Sequence, residues 1–213
     1  MKTNTPITKS EKTRQFIIEK AAPVFNQKGI AGTSISDLTR VTGLTKGAIY
    51  GNFKDKDAVA VAAFEYNAGI LNDYLNRYTE QQTSYIGKLL AMPQAYRKLY
   101  KNMIAFGGCP IANTATEADD THQQLKDLVT KTIAQMNRSI VELVEKGKQA
   151  GEIQYLVDSR KTADIIFSLI EGGTILSKAT GKKQYLTHSL DQVEHLIQSI
   201  RQQHDPFYTA WYK

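Results

Sequence analysis

Apolar residues recur at helical spacing along most of the chain. The segment "RQFIIEKAAPVFNQKG" places one group of apolar side chains on a single helix face: Phe16, Ile17, Ala21, Val24 and Phe25. Spacings of three and four residues indicate an amphipathic α-helix, and no segment shows the strict alternation that indicates a strand. The pattern therefore predicts an all-α protein of about nine helices.

Two short helices are predicted after the first one, over 33–41 and 45–51. Their apolar residues repeat at helical spacing, and Gly43 lies in the turn between them. Thr45 occupies the N-cap position of the second helix. Two short helices joined by a glycine-containing turn form a helix-turn-helix.

The remaining chain is also helical in pattern. A longer helix begins near Asp55 and leaves no room for a loose linker. Further helices are predicted over roughly 84–106, from Pro110, and over about 120–149, 159–179 and 187–203. The pattern divides the chain into a small N-terminal unit over 1–54, which contains the helix-turn-helix, and a helical remainder over 55–213.

Positive charge is concentrated at the start of the chain. Residues 1–60 contain ten Lys or Arg and five Asp or Glu, whereas residues 61–213 contain 17 and 16. A basic region confined to one end suggests a polyanionic partner there, although charge alone does not separate this from solubility.

Other classes of protein and site lack their usual signals. No apolar run reaches the roughly 18 residues of a membrane helix, and the polar N-terminus does not resemble a secretory signal. The single cysteine, Cys109, leaves no internal disulfide, and no Cys/His cluster has zinc-ligand spacing. We therefore expect a cytoplasmic protein with no metal, no cofactor and no membrane partner.

The second helix of the helix-turn-helix has the composition of a DNA-contacting surface. The apolar positions would pack inward, which leaves Thr45, Lys46, Gly47, Ala48 and Tyr50 facing outward. A recognition helix presents its N-terminal residues to the major groove, where a lysine reaches a phosphate or a guanine edge. Glycine and alanine would allow the backbone to approach the duplex closely.

Neighbouring residues extend this candidate surface. Lys54 and Lys56 lie at the start of the next helix, where backbone N–H groups favour phosphate. Thr33 and Ser34 at the start of the first short helix, and Asn52 after the second, complete the predicted DNA contacts.

The run 33–59 resembles the DNA-binding domain of the TetR family of bacterial transcriptional regulators. The matching residues are Thr33, Ile35, Leu38, Val41, Gly43, Leu44, Thr45, Lys46, Gly47, Ile49, Tyr50, Phe53, Lys54 and Lys56, with Phe16, Ala21, Phe25 and Gly29 in the first helix. Gly51 departs from the family, which usually has a larger side chain there, so that contact is missing or replaced by Asn52. The resemblance implies nine helices, with a helix-turn-helix DNA-binding domain over 1–54 and a ligand-binding (effector) and dimerisation domain over 55–213.

The stretch "AFGGCPIANTATEADD" (105–120) is the unusual part of the predicted effector domain. Pro110 suits the first position of a helix, which puts Cys109 at the N-cap. Such a cysteine can be reactive, so a redox role and a purely structural role both remain open. Asn113 and Glu117 share a helix face with Cys109. The candidate effector pocket comprises Tyr66, Tyr100, Met103, Phe106, Cys109, Asn113 and Glu117.

The last two predicted helices are apolar over a wide face. Such a pair near the chain end is either core or the seam of a four-helix bundle between two subunits, and the family resemblance favours the seam. The predicted dimer interface comprises Ile166, Ile170, Gly173, Val193, Ile197 and Ile200. The aromatic end "HDPFYTAWYK" has no assigned role.

Together these observations predict a cytoplasmic, homodimeric, ligand-responsive transcriptional regulator of the helix-turn-helix class. We expect a repressor that binds a palindromic operator in double-stranded DNA and responds to a small molecule of unknown identity. It is not expected to be an enzyme. The alternatives are an all-α enzyme with Cys109 as nucleophile, which lacks a catalytic signature, and a helical protein-interaction module.

Overall fold

The computed structural model describes residues 8–118 and 120–202. Within these residues the chain forms nine α-helices and a single isolated bridge, between Ile153 and Arg201. The helices are α1 Lys9–Lys28, α2 Ile35–Thr42, α3 Lys46–Tyr50, α4 Lys56–Thr79, α5 Tyr85–Ala105, α6 Pro110–Ala118, α7 Gln123–Gln149, α8 Ser159–Thr180 and α9 Gln184–Ser199. The predicted all-α fold is confirmed, and the predicted aromatic tail lies outside the described residues.

Local capping chemistry sets where the first helices begin. Thr8 and Glu11 form a capping box at the start of α1, and Ser34 and Asp37 form another at the start of α2. In each box the hydroxyl accepts from a backbone N–H while the carboxylate accepts from the N-cap N–H. The N-cap of α1 is therefore Thr8.

The described residues separate into two compact units. The first unit contains the described residues within 1–72 and 102–132, and the second contains those within 73–101 and 133–213. Helices α4, α5 and α7 therefore contribute residues to both units. This separation concerns packing alone. The division into a DNA-binding and an effector domain at residue 54 stays a prediction.

The first unit is built around α1. Its apolar face packs against α2 and α6, and α2 in turn packs against α3. Ile17, Leu38 and Ile49, one from each of the first three helices, have no exposed surface, and Phe53 after α3 is also buried. The helix-turn-helix is thus anchored to α1 by a shared apolar core.

The second unit contains the paired helices α8 and α9, which pack along their length. Gly173 permits their close approach, because a Cβ there would lie 2.7 Å from Ser189 Oγ and 3.0 Å from Leu186 Cα. Arg97 on α5 ties α9 to this unit by ion pairs with Asp191 at 2.5 Å and Glu194 at 3.3 Å.

The part of the chain that the structure describes contains neither a candidate membrane span nor a candidate metal site. None of the helices there is long and apolar enough to cross a membrane. No group of three or more His, Cys, Asp or Glu residues there is arranged to hold a metal ion.

Candidate DNA-binding surface and effector region

Helix α3 begins at a side-chain cap and presents a polar, low-bulk surface. Thr45 has extended backbone angles and its Oγ1 accepts from Ala48 N at 3.2 Å, so it is the N-cap as predicted. Lys46 and Gly47 are exposed, and Tyr50 is half-buried with its ring centroid 5.8 Å from Lys46 Nζ. Ile49 is fully buried and fixes α3 to the core, which leaves Lys46 exposed and Tyr50 partly exposed.

Gly47 is not required by the fold. A Cβ at this position would meet only Thr45 Oγ1, at 3.9 Å, which is ordinary van der Waals contact. Its φ does not lie in the left-handed region. A glycine costs up to about 1 kcal/mol relative to alanine in a helix. A partner outside the chain would account for its presence on this exposed surface.

The start of α2 carries a charged cluster beside Ser34. Asp37 accepts from Lys28 Nζ at 2.7 Å, from Ser34 N at 3.0 Å, and from Arg40. The hydrogen bond from Lys28, followed by those from Ser34, holds the pKa of the Asp37 carboxyl well below its usual value. Ser34 is exposed, although its hydroxyl is already engaged as the cap of α2.

Two of the predicted DNA contacts face the protein instead. Thr33 is fully buried and its hydroxyl donates to Gly29 O at 2.6 Å, so the prediction that it contacts DNA is wrong. Asn52 Nδ2 donates to Ala48 O at 2.9 Å, and Asn52 Oδ1 accepts from Ser10 Oγ at 3.3 Å. The side-chain amide of Asn52 thus makes contacts within the protein through both its nitrogen and its oxygen.

The two lysines after α3 differ in their surroundings. Lys54 is exposed. Lys56 is half-buried, and its ammonium donates to Ile30 O at 2.6 Å and to Thr33 O at 3.0 Å. In the free chain Lys56 thus supports the loop between α1 and α2, a role that sequence spacing did not reveal.

The predicted effector residues on α6 bind the end of α1 and the loop that follows it. Glu117 accepts from Ile30 N at 2.7 Å and from Ala31 N at 2.9 Å. Asn113 Nδ2 donates to Asn26 O at 3.1 Å and to Gly107 O at 2.8 Å. A cavity of about 20 Å³ lies beside these side chains. This volume holds about one water molecule. Pockets that bind small molecules have volumes of roughly 300 Å³ or more.

The other predicted effector residues differ in their exposure and surroundings. Cys109 is 1% exposed at the start of α6, where Pro110 is the first helical residue as predicted. Met103 is buried, whereas Phe106 is 58% exposed, so its ring does not line an enclosed pocket. Tyr66 is half-buried in the first unit. Tyr100 belongs to the second unit, where Lys183 Nζ lies 5.4 Å from its ring centroid.

The predicted dimer residues face the interior of their own chain. All of them are buried within a single chain, and Gly173 is the glycine that admits α9: Ile166, Ile170, Gly173, Val193, Ile197 and Ile200. A buried side chain has no free surface to offer a second subunit. The prediction that these residues form the dimer interface is therefore wrong. They form the core between α8 and α9.

The adjacent face of α8 is apolar and exposed. Ile165, Ile175 and Leu176 are 36%, 42% and 48% exposed, and Leu169 is half-buried beside them. Gly172 lies on the same face, and a Cβ there would meet nothing within 4 Å. We call these five residues the α8 outer face. Ile165, Leu169 and Gly172 on this face each precede by one position a residue of the predicted interface on α8.

Two stretches of the chain match known families. Residues 17–63 match the family described as bacterial regulatory proteins, tetR family. Residues 86–193, about half of the chain, match the family described as tetracyclin repressor-like, C-terminal domain. The chain belongs to the TetR family. The predicted resemblance is confirmed, and it now covers the C-terminal part as well.

Solved structures and curated relatives agree with this assignment. A TetR family regulator from Cytophaga hutchinsonii is 40% identical, with a TM-score of 0.90 over 94% of this chain and 100% of that one. Another from Chloroflexus aurantiacus is 33% identical, with a TM-score of 0.87 over 92% and 99%. The curated transcriptional repressor NemR of Escherichia coli is 19% identical over 87% of this chain and 94% of its own length.

This TetR family member is a ligand-responsive, DNA-binding transcriptional regulator. The named relatives are transcriptional regulators, so the cysteine-dependent enzyme and the interaction module are not favoured. The helix-turn-helix predicted from the sequence is the part that the family uses to bind DNA.

Proposed function

We propose that this protein is a repressor that binds a two-fold symmetric operator as a homodimer and is released by a small molecule. The observation that carries the proposal is the surface of α3: Lys46 and Gly47 are exposed and Tyr50 is partly exposed, while Ile49 is buried and fixes the helix to the core. Lys46 would contact a phosphate or a guanine edge, and Gly47 would allow close approach of the backbone. Repression is supported by the names of relatives such as NemR.

Dimerisation is proposed through the α8 outer face. A two-fold dimer places two recognition helices in successive major grooves, about 34–36 Å apart, which requires a roughly palindromic site. The exposed isoleucines and leucines would lose their contact with water there, and Gly172 would let the two copies of α8 approach closely. Each fully buried side chain of this size contributes roughly 1.5–3 kcal/mol.

The effector is proposed to act noncovalently. Cys109 is 1% exposed, so a reagent in solution has little access to its sulfur. A ligand changes DNA affinity only if it prefers one of two arrangements of the protein. Helix α4 is the proposed lever, because it contributes to both units and its first residue, Lys56, is bonded to the loop before α2.

A matched pair of leucine variants tests the dimer and the operator together. Leu176→Asp changes the α8 outer face, whereas Leu156→Asp changes a residue that is 93% exposed in the loop between α7 and α8. Duplexes are first selected from a random library by the wild-type protein. Sedimentation then gives the oligomeric state, and fluorescence anisotropy at fixed salt gives the operator affinity.

We expect the wild type and Leu156→Asp to be dimers that bind the selected duplex. Leu176→Asp should be a folded monomer whose affinity for the duplex is lower by at least tenfold, or about 1.4 kcal/mol. A wild type that is monomeric at micromolar concentration would refute the dimer. Equal behaviour of the two variants would place the interface elsewhere.

A further inference from the structure

The loop between α1 and α2 is held by charged side chains from two other helices. From α6, the Glu117 carboxylate accepts from Ile30 N at 2.7 Å and from Ala31 N at 2.9 Å. From the start of α4, Lys56 donates to the carbonyl oxygens of Ile30 and Thr33. Just before α2 begins, two N–H groups of the loop are thus bound by a residue of α6, and two of its C=O groups are bound by a residue of α4.

The backbone of this loop is shaped to admit the carboxylate. Gly29 ends α1 with a φ of +73°, in the region that favours glycine. A Cβ at Gly29 would also lie 2.6 Å from an oxygen of Glu117. The backbone conformation at Gly29 therefore favours glycine, and a side chain there would have to displace the Glu117 carboxylate from the loop.

A second set of hydrogen bonds fixes α6 to the last turn of α1. Asn113 donates to Asn26 O at 3.1 Å and to Asn26 Oδ1 at 3.0 Å. Asn26 Nδ2 in turn donates to Phe106 O at 2.6 Å and to Gly108 O at 3.0 Å. Apolar surfaces can slide over one another, whereas hydrogen bonds weaken steeply when distance or angle changes. A shift of α6 would therefore strain its bonds to α1 and to the loop.

We propose that Glu117 is a positioning residue for DNA binding. Its carboxylate sets the conformation of the loop that leads into α2, and α2 carries α3 through their shared core. Movement of α6 away from α1 releases Ile30 N and Ala31 N and lowers the affinity for the operator. This inference rests on the proposed function and assigns to α6 the contact through which DNA affinity is regulated.

The direction of the change in DNA affinity distinguishes a positioning role of Glu117 from a simple effect of its charge. Removal of a negative charge strengthens the binding of DNA when charge alone matters, because the phosphate backbone repels carboxylates. Loss of a positioning contact weakens it. Glu117→Gln keeps one acceptor oxygen but places an NH₂ group near Ile30 N, and Glu117→Ala removes the contact entirely. The control is Glu65→Gln, which removes the same charge from an exposed position on α4.

Affinity for a duplex selected by the wild type is measured by fluorescence anisotropy, well below the unfolding temperature of each variant. We expect Glu117→Ala to bind at least tenfold more weakly, which corresponds to about 1.4 kcal/mol. Glu117→Gln should be intermediate, and Glu65→Gln should bind as tightly as the wild type or more tightly. Full affinity in Glu117→Ala, even with a lowered unfolding temperature, would show a purely structural role and overturn the proposal.

A second measurement uses the reciprocity of coupled equilibria. If the position of α6 changes DNA affinity, DNA binding must stabilise the favoured position of α6. Hydrogen exchange should therefore slow in residues 29–31 and 111–118 when the wild type binds the duplex, and the slowing in 111–118 should be lost in Glu117→Ala. Unchanged exchange in 111–118 of the DNA-bound wild type would overturn the proposal. Failure of the wild type to select any duplex would instead refute the proposed function.

Discussion

Replacement of Gly47 by alanine separates what the fold needs from what DNA binding needs. The added methyl group would meet only Thr45 Oγ1, at 3.9 Å, so the free protein accommodates it without a clash. Alanine is a better helix former than glycine by up to about 1 kcal/mol. Gly47→Ala should therefore leave the protein equally stable or slightly more stable.

The same methyl group should weaken DNA binding. If the backbone at Gly47 lies against the duplex, the methyl group fills space that the DNA occupies. Overfilling a packed contact costs roughly 1–3 kcal/mol, and each 1.4 kcal/mol is a factor of about ten in affinity. We expect the affinity of Gly47→Ala for a selected duplex to fall by about tenfold to a hundredfold.

Gly69 provides the matched control. It is exposed within α4, and a Cβ there would meet nothing within 4 Å. Gly69→Ala should raise the unfolding temperature by roughly 2–4 °C, the shift that about 1 kcal/mol produces in a protein of this size. Its DNA affinity should not change.

Thermal unfolding and fluorescence anisotropy at one fixed salt concentration measure both effects, since DNA affinity depends steeply on salt. Wild-type affinity in Gly47→Ala would refute the close approach of this backbone to DNA. A loss of stability in Gly47→Ala would show instead that the glycine serves the fold.

Four further predictions concern single residues. Lys46→Ala should weaken binding to the selected duplex without changing the unfolding temperature; an unchanged affinity would remove Lys46 from the interface. Lys56→Met removes the charged donor from two partly buried loop carbonyl groups, of which Ile30 O keeps only the longer bond from Thr33 N, at 3.4 Å. Because an unsatisfied buried acceptor costs roughly 1–3 kcal/mol, the variant should lower the unfolding temperature as well as the DNA affinity; a loss of affinity without a loss of stability would indicate that Lys56 serves only as a phosphate contact. The low pKa of Asp37 means that its ionised form contributes stability above the unfolded-state pKa, near pH 4, and that this contribution is lost as the pH falls toward the folded-state pKa. In denaturant titrations the wild type should therefore exceed Asp37→Asn in stability at pH 7, by a margin that shrinks below about pH 4; a constant margin would contradict this. Because Cys109 is buried, N-ethylmaleimide should leave DNA binding unchanged under native conditions; inhibition of the wild type but not of Cys109→Ser would revive a covalent switch.

Local chemistry explains why the helix-turn-helix could be predicted from the sequence. Thr45 caps α3 through a hydrogen bond to a residue three positions away, and Ser34 caps α2 in the same way. Both partners of such a contact lie within four consecutive residues, so a short stretch of sequence is enough to predict it. The short elements that position Lys46 and Tyr50 were therefore predicted within one or two residues.

Long-range contacts explain what the sequence did not reveal. The partners of Glu117 are backbone N–H groups 86 and 87 residues away, and no periodicity marks them. The sequence correctly placed Asn113 and Glu117 on one face of a helix but did not reveal that this face meets α1. For the same reason Lys56 was predicted to bind phosphate, although its ammonium meets loop carbonyls in the free chain.

The interface residues were predicted wrongly for a different physical reason. Along α8 the apolar residues fill two adjacent stripes, so helical spacing is satisfied by Ile166 and Ile170 as well as by Ile165 and Leu169. Two apolar stripes indicate that both sides of the helix are suited to packing. They do not indicate which side packs against another helix of the same chain. Contact with α9 decides this, because the Cβ that Gly173 lacks would collide with Ser189 and Leu186. Gly172, where a Cβ would meet nothing within 4 Å, lies on the adjacent, exposed side, which is the side that we propose for a second subunit.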